Sequence, residues 1–184
     1  MEQFKTSVHR FFDPIGSAAG LACTAETPDH VRFENETVFL EVSFDRRRSR
    51  EISVAIGQRL RTPEMFAFNL VDVLRACGYP NLSQVEALRG ATAEAVDGAI
   101  EILAGLTEKY ALELLHNNRE EFLYVGTFRR WASLKYAWER NNPKSMIAAY
   151  PGLISSPCYE RVRSTLNTQD LQILEAAKQL SKSG

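Results

Sequence analysis

TVFLEVSFDRRRSREISVAIG, residues 37–57, decides the fold. Two runs alternate apolar and polar residues on either side of a turn that holds four arginines within five positions. In the first run Val38, Leu40, Val42 and Phe44 share one face, while Glu41, Ser43 and Asp45 share the other. In the second, Ile52, Val54 and Ile56 lie on one face and Glu51 and Ser53 on the opposite one. Successive strand side chains point to opposite faces, so the pattern predicts an antiparallel hairpin with one face on a core and one in water. If Phe44 faces Ile52, the loop is Arg46-Arg47-Arg48-Ser49-Arg50, with Asp45 opposite Glu51 at the strand ends.

Working outward toward the N-terminus, Val31 to Asn35 and Leu21 to Ala25 read as further strands around the turn residues Thr27-Pro28-Asp29. Before them, Phe4, Val8 and Phe11 or Phe12 make one face of a helix from about Glu2 to Phe12. Asp13-Pro14 reads as a cap and first-turn proline starting a short second helical turn, which Gly20 stops.

Toward the C-terminus the period changes near residue 61. Thr62-Pro63-Glu64 reads as the start of a helix whose stripe is Phe66, Leu70, Val73, Leu74 and Cys77, ended by Gly78. Ser83 opens a short helix to Leu88, with Gly90 as its stop. A long helix follows from about Thr92 to His116, with Val96, Ile100, Leu103, Thr107, Tyr110 and Leu114 in its stripe, widened by Ile102 and Leu106. Gly98 and Gly105 lie near one face of it, which suggests close approach of another helix or of a second copy. Another helix spans Arg119 to Asn141, with Asn118 as cap and Glu120 and Glu121 in its first turn. A looped segment around Met146 to Ala149 and a last helix or helix pair over Tyr159–Leu180, capped by Thr168, complete the chain.

The expected fold class is therefore α+β: an N-terminal helix on a three- or four-stranded antiparallel meander, followed by a C-terminal helical bundle. The expected organisation is 1–61 as helix plus meander and 62–184 as the bundle, packed together as one compact body.

Composition narrows the function. The chain has 22 Lys and Arg against 23 Asp and Glu, so a wholesale polyanion binder is excluded and any nucleic-acid role needs a local patch. The N-terminus lacks the basic and apolar regions of a signal peptide, and no stretch nears the roughly 18–20 apolar residues of a membrane span. Three cysteines, Cys23, Cys77 and Cys158, show no CxxC spacing and read as free, mostly buried thiols in a cytoplasmic protein.

No phosphate-loop, dinucleotide-binding, nucleophile-elbow, zinc-protease or calcium-loop motif occurs, so no catalytic residue, cofactor or metal ligand is assigned. His9, His30 and His116 have no Cys or His at ligand spacing, so a zinc site would need ligands converging from afar.

Two basic features remain. In residues 124–144, Arg129, Arg130, Lys135, Arg140 and Lys144 face Glu139 alone and alternate with aromatics, as a nucleic-acid platform would require. Tyr124, Phe128, Trp131 and Trp138 recur at helical spacing, however, which points to a core stripe with a basic outer face and Lys135 at its edge. The hairpin tip carries four arginines against Asp45 and Glu51 and is too short to track a nucleic-acid backbone. It suits a contact point on one acidic protein surface.

The run from Asp13-Pro14 through VRFENETVFLEVSFDRRRSREISVAIG resembles N-terminal regions of small uncharacterised bacterial proteins, some grouped with immunity proteins of polymorphic toxin systems. The resemblance covers about residues 1–60. It implies a cytoplasmic bacterial or phage-related protein that acts by binding another protein, without a catalytic site. The expected function is thus a non-enzymatic interaction module, using Arg46, Arg47, Arg48 and Arg50 with the sheet-face residues Glu41, Ser43 and Ser53. Nucleic-acid binding through the hairpin and residues 124–144 is the alternative.

Overall fold

The computed structural model describes residues 2–59 and 67–183. It is α+β, with an N-terminal helix, a five-stranded antiparallel sheet and helices beyond it. Two compact units divide at Met1–Asn118 and Arg119–Gly184. The division thus falls after the long helix, well beyond the change of periodicity near residue 61. Among the described residues no helix is long and apolar enough to cross a membrane.

In the first unit, helix α1 (Glu2–Ala18) precedes strands β1 (Ala22–Thr27), β2 (His30–Glu34), β3 (Val38–Phe44), β4 (Ile52–Gln58) and β5 (Ala67–Asn69), which pair in sequence order. The β3–β4 register pairs Phe44 with Ile52, Val42 with Val54 and Leu40 with Ile56, as the alternation requires. Val31, Val38, Leu40, Val42, Val54 and Ile56 are fully buried. Against this inner face lie α1, through Phe4, Val8, Phe12 and Ile15, and helix α4 (Ala93–Leu115), through Val96, Ile100 and Leu103. Burying this continuous apolar layer is the main driving force for the unit.

Several expectations about the first unit are corrected. Helix α1 runs through Pro14 without a break. The proline removes one backbone donor, but Phe12 and Ile15 on either side are both buried, so packing carries the helix across it. Gly20, at φ 68, then ends the helix, with the Leu21 N–H on the Gly16 carbonyl at 2.8 Å.

The helix expected from Thr62 is instead strand β5 followed by helix α2 (Leu70–Ala76); Thr62, Pro63, Glu64 and Phe66 lie outside the described residues. Residues 67–69 extend because they pair with Ala55, Ile56 and Gly57 of β4 and bury Phe68. Asn69 then caps α2, its side chain accepting the Val71 N–H at 3.1 Å. Cys77 is exposed at the end of α2, and Cys23 is exposed as well; Cys158 alone is buried, and none is in a disulfide.

Helix α4 starts at its expected cap, Thr92, whose hydroxyl accepts the Ala95 N–H at 3.2 Å. Gly98 and Gly105 have open space where a Cβ would stand, so neither serves close approach of a neighbour within the described protein. Ile102 is exposed, because Ala99, Ala104 and Ala111 fill the buried stripe beside Leu103. The short helix α3 (Leu82–Glu86) lies between α2 and α4, with Asn81 as its N-cap in place of Ser83.

The second unit is helical: α5 (Arg119–Glu139), α6 (Pro143–Ile154), α7 (Tyr159–Ser164) and α8 (Thr168–Ser183). Helix α6 replaces the expected loop around Met146. The Asn142 side chain accepts the Ser145 N–H at 3.1 Å and Pro143 takes the first turn, so the turn-forming residues start a helix. The cap of α8 is Asn167, which accepts the Asp170 N–H at 2.9 Å, one residue before the expected Thr168. In α5, Tyr124 and Trp131 are buried but Trp138 is 43% exposed, because Leu134 and Ala137 take the inward positions of the last turns.

Candidate functional site

The hairpin tip is organised from inside by Asp45. Its carboxylate accepts the backbone N–H groups of Arg47 at 3.2 Å, Arg48 at 3.1 Å and Ser49 at 3.2 Å, together with the Ser49 hydroxyl at 3.0 Å. The Ser49 amide, followed by that of Arg48, holds the Asp45 carboxyl below the ordinary aspartate range. Arg50 closes the loop in the left-handed region at φ 55. Asp45 and Glu51, opposite each other at the strand ends, are both offset without the tip guanidinium groups. Asp45 spends its charge on loop amides, and Glu51 faces Arg89, which approaches to 4.0 Å.

Both flanks of the tip are tied down. On one side the Phe44 N–H donates to the Asp29 carbonyl at 2.9 Å, and the Arg46 guanidinium donates to the Pro28 carbonyl. On the other, the Gly90 N–H donates to the Arg50 carbonyl at 2.8 Å. Gly90 is thus a point of close approach: a Cβ there would stand 2.6 Å from Val96 and 3.0 Å from Phe44. A cleft of about 290 Å³ at this base is lined by Gln3, Phe4, Phe44, Arg46, Gly90 and Thr92.

The four tip arginines therefore separate. Arg46 folds back over Phe44, 5.8 Å from the ring centroid. Arg47, Arg48 and Arg50 are exposed, and among the described residues their guanidinium groups make no ion pair.

The sheet-face residues lie behind the tip and are half-buried. Ser43 and Ser53 are cross-strand partners whose hydroxyls stand 2.8 Å apart. Glu41 accepts from Arg32 at 3.1 Å, and His30 stands 3.3 Å from the same carboxylate oxygen. Arg32 also donates to Glu34 at 2.8 Å and covers the Phe39 ring at 4.0 Å. Arg59 reaches Glu34 at 3.2 Å, and Arg61 lies outside the described residues. This face is a web of compensated charge, in contrast to the tip.

The basic residues of the second unit are largely engaged. Arg130 donates to the Gly152 carbonyl at 2.6 Å, and Lys135 to Asp170 at 2.8 Å, where the carboxylate side chain is only 10% exposed. Arg140 stacks over Tyr136 at 4.7 Å on the exposed side, while Arg129 and Lys144 are exposed. Paired acids recur as Glu120 and Glu121, both neutralised by Arg161, at 3.6 and 2.8 Å.

One grouping has no counterpart in any sequence motif. His9, Cys23 and Glu26 bring an imidazole nitrogen, a thiol sulfur and a carboxylate oxygen within 4.8 Å of one another at the edge formed by α1 and β1. Asp13 stands 2.9 Å from His9 Nδ1, and Lys5 donates to Glu26. The Asp13 hydrogen bond raises the His9 pKa, that of Lys5 lowers the Glu26 pKa, and burial raises that of Cys23. A helix residue and two strand residues three apart have no recognisable spacing, so only the fold unites them. Cys158, by contrast, is shielded, its thiol pushed up by burial.

Comparison with family models, with curated proteins and with solved structures finds no match to this chain.

Proposed function

We propose that this chain acts by binding, with Arg47, Arg48 and Arg50 of the β3–β4 tip docking on an acidic surface of a partner protein, in the manner of an inhibitor or immunity-type protein. The observation that carries the reading is the use made of Asp45. Of the two acids that flank the arginines, Asp45 is taken up by loop N–H groups and Glu51 faces Arg89, so the three guanidinium groups face solvent on a loop whose backbone is already held. A preorganised cationic tip loses little conformational freedom on docking, and its charge speeds encounter with an acidic patch more than it raises affinity. Ser43 and Ser53, just behind the tip, supply hydroxyls at the rim of such a contact.

The test measures anisotropy of a labelled poly-glutamate peptide at low salt. Replacing Arg47, Arg48 and Arg50 together by Ser should weaken binding by about tenfold or more. Replacing Arg129, Arg140 and Lys144 should leave it unchanged. Equal binding by the tip variant would sink the proposal. A single-stranded oligonucleotide that binds more tightly than the peptide, and is lost in the second variant, would shift the function to nucleic acid.

A further inference from the structure

Strand β1 carries a bulge between Cys23 and Ala25 that changes which residues share a face. In a regular strand, residues three apart point to opposite sides. Here Cys23 pairs with Phe33 and Glu26 with Val31, both inward-facing residues of β2. The extra residue, Thr24, therefore turns Cys23 and Glu26 to the same side, toward α1 and His9. Without the bulge, one of the two would face away from the histidine.

We propose that His9, Cys23 and Glu26 form a binding site for a zinc-like divalent cation, with Asp13 as the residue that orients His9. Imidazole nitrogen, thiolate sulfur and carboxylate oxygen together are the donor set of a borderline-soft ion such as Zn²⁺. His9 Nε2 and Glu26 Oε2 stand 3.3 Å apart. Two ligands about 2.0–2.1 Å from a tetrahedral ion are about 3.3–3.4 Å apart, so this edge needs no rearrangement. Cys23 is exposed and its sulfur lies within 4.8 Å of the other two donor atoms, so a shift of about 1 Å would close the third edge. A water completes the tetrahedron.

The surrounding groups suit the same purpose. Asp13 accepts from Nδ1–H of His9, i,i+4 along α1, which leaves the Nε2 lone pair aimed at Glu26 and Cys23. This carboxylate–histidine–metal arrangement is the usual way a protein fixes the tautomer of a ligating imidazole. Lys5 engages one oxygen of Glu26 and leaves the other to the ion. Without metal, an Nε2–H of the protonated ring would donate to Glu26 Oε2, and the cation takes the place of that proton.

The experiment titrates Co²⁺ into the reduced full-length chain and follows the thiolate-to-cobalt charge-transfer band and the strong d–d absorption of tetrahedral cobalt, with Zn²⁺ as competitor. One equivalent should bind and be displaced by Zn²⁺. Cys23→Ser should abolish the charge-transfer band. His9→Gln and Glu26→Gln should weaken binding by about tenfold or more, and Asp13→Asn by about 10–100-fold with the band retained at saturation. Cys77→Ser should bind like the wild type, and circular dichroism of each variant reports its folding. No band from the wild type at stoichiometric Co²⁺, or a band that survives Cys23→Ser, would overturn the site.

Discussion

Helix α5 and the β3–β4 tip are both rich in cations, and they spend them in opposite ways. In α5, Arg130 is turned onto the Gly152 carbonyl and Lys135 onto Asp170, so two of its basic side chains stitch the helix to other parts of its own unit. At the tip Asp45 is taken by main-chain amides and Glu51 faces Arg89, and Arg47, Arg48 and Arg50 keep their charge facing water. Local composition is therefore a poor guide to an electrostatic surface. What matters is whether nearby acceptors consume the cations.

That contrast can be broken most directly at Lys135. Lys135→Met strands the nearly buried Asp170 carboxylate, so urea unfolding should show a loss of about 1–3 kcal/mol. The triple tip variant, by contrast, should stay within about 0.5 kcal/mol of wild type. Equal losses in both would erase the distinction between internal and outward cations.

Asp45→Ala separates charge from order. It makes the tip more positive, yet it removes the acceptor that holds Arg47, Arg48 and Ser49. If preorganisation dominates, poly-glutamate binding weakens severalfold; if charge alone matters, it tightens. Acid should act similarly. The Asp45 pKa is depressed in the folded chain, so its contribution is complete above the ordinary aspartate value and is lost as pH falls through the lower folded value. The amide resonances of Arg47, Arg48 and Ser49 should shift together in that acidic window. A midpoint at the ordinary value or above would show that the carboxylate does not hold the loop.

The smallest effect is expected at Arg50. Its φ of 55 favours glycine, so Arg50→Gly should stabilise by about 1 kcal/mol or less while removing one cation from the contact.

Much of the first unit was legible because its signals are local. Alternation in 37–57 placed the β3–β4 register to the residue, and Thr92 and Gly20 marked helix ends through bonds within a few positions. Misreadings arose where distant partners outweighed local preference. Pro14 reads as a boundary until Phe12 and Ile15 are seen buried together, and 67–69 reads as helix until β4 offers an edge. The arginine tip was visible in sequence, but Arg46 was indistinguishable from its neighbours until Pro28 and Phe44 were placed beside it. The group of His9, Cys23 and Glu26 carried no signal, because its ligands come from a helix and from a strand bulge that no motif records.

The sequence by itself determined the α+β class, the inward faces of the hairpin strands and the presence of an arginine-rich turn between them. Side-chain alternation and capping act over a few residues, so they are written where they act. Only the tertiary structure decided which arginines are left facing solvent, that a fifth strand closes the β4 edge, and that His9 meets Cys23 and Glu26. Those outcomes depend on contacts between segments distant along the chain, whose formation is set by competition for shared acceptors, edges and buried surface.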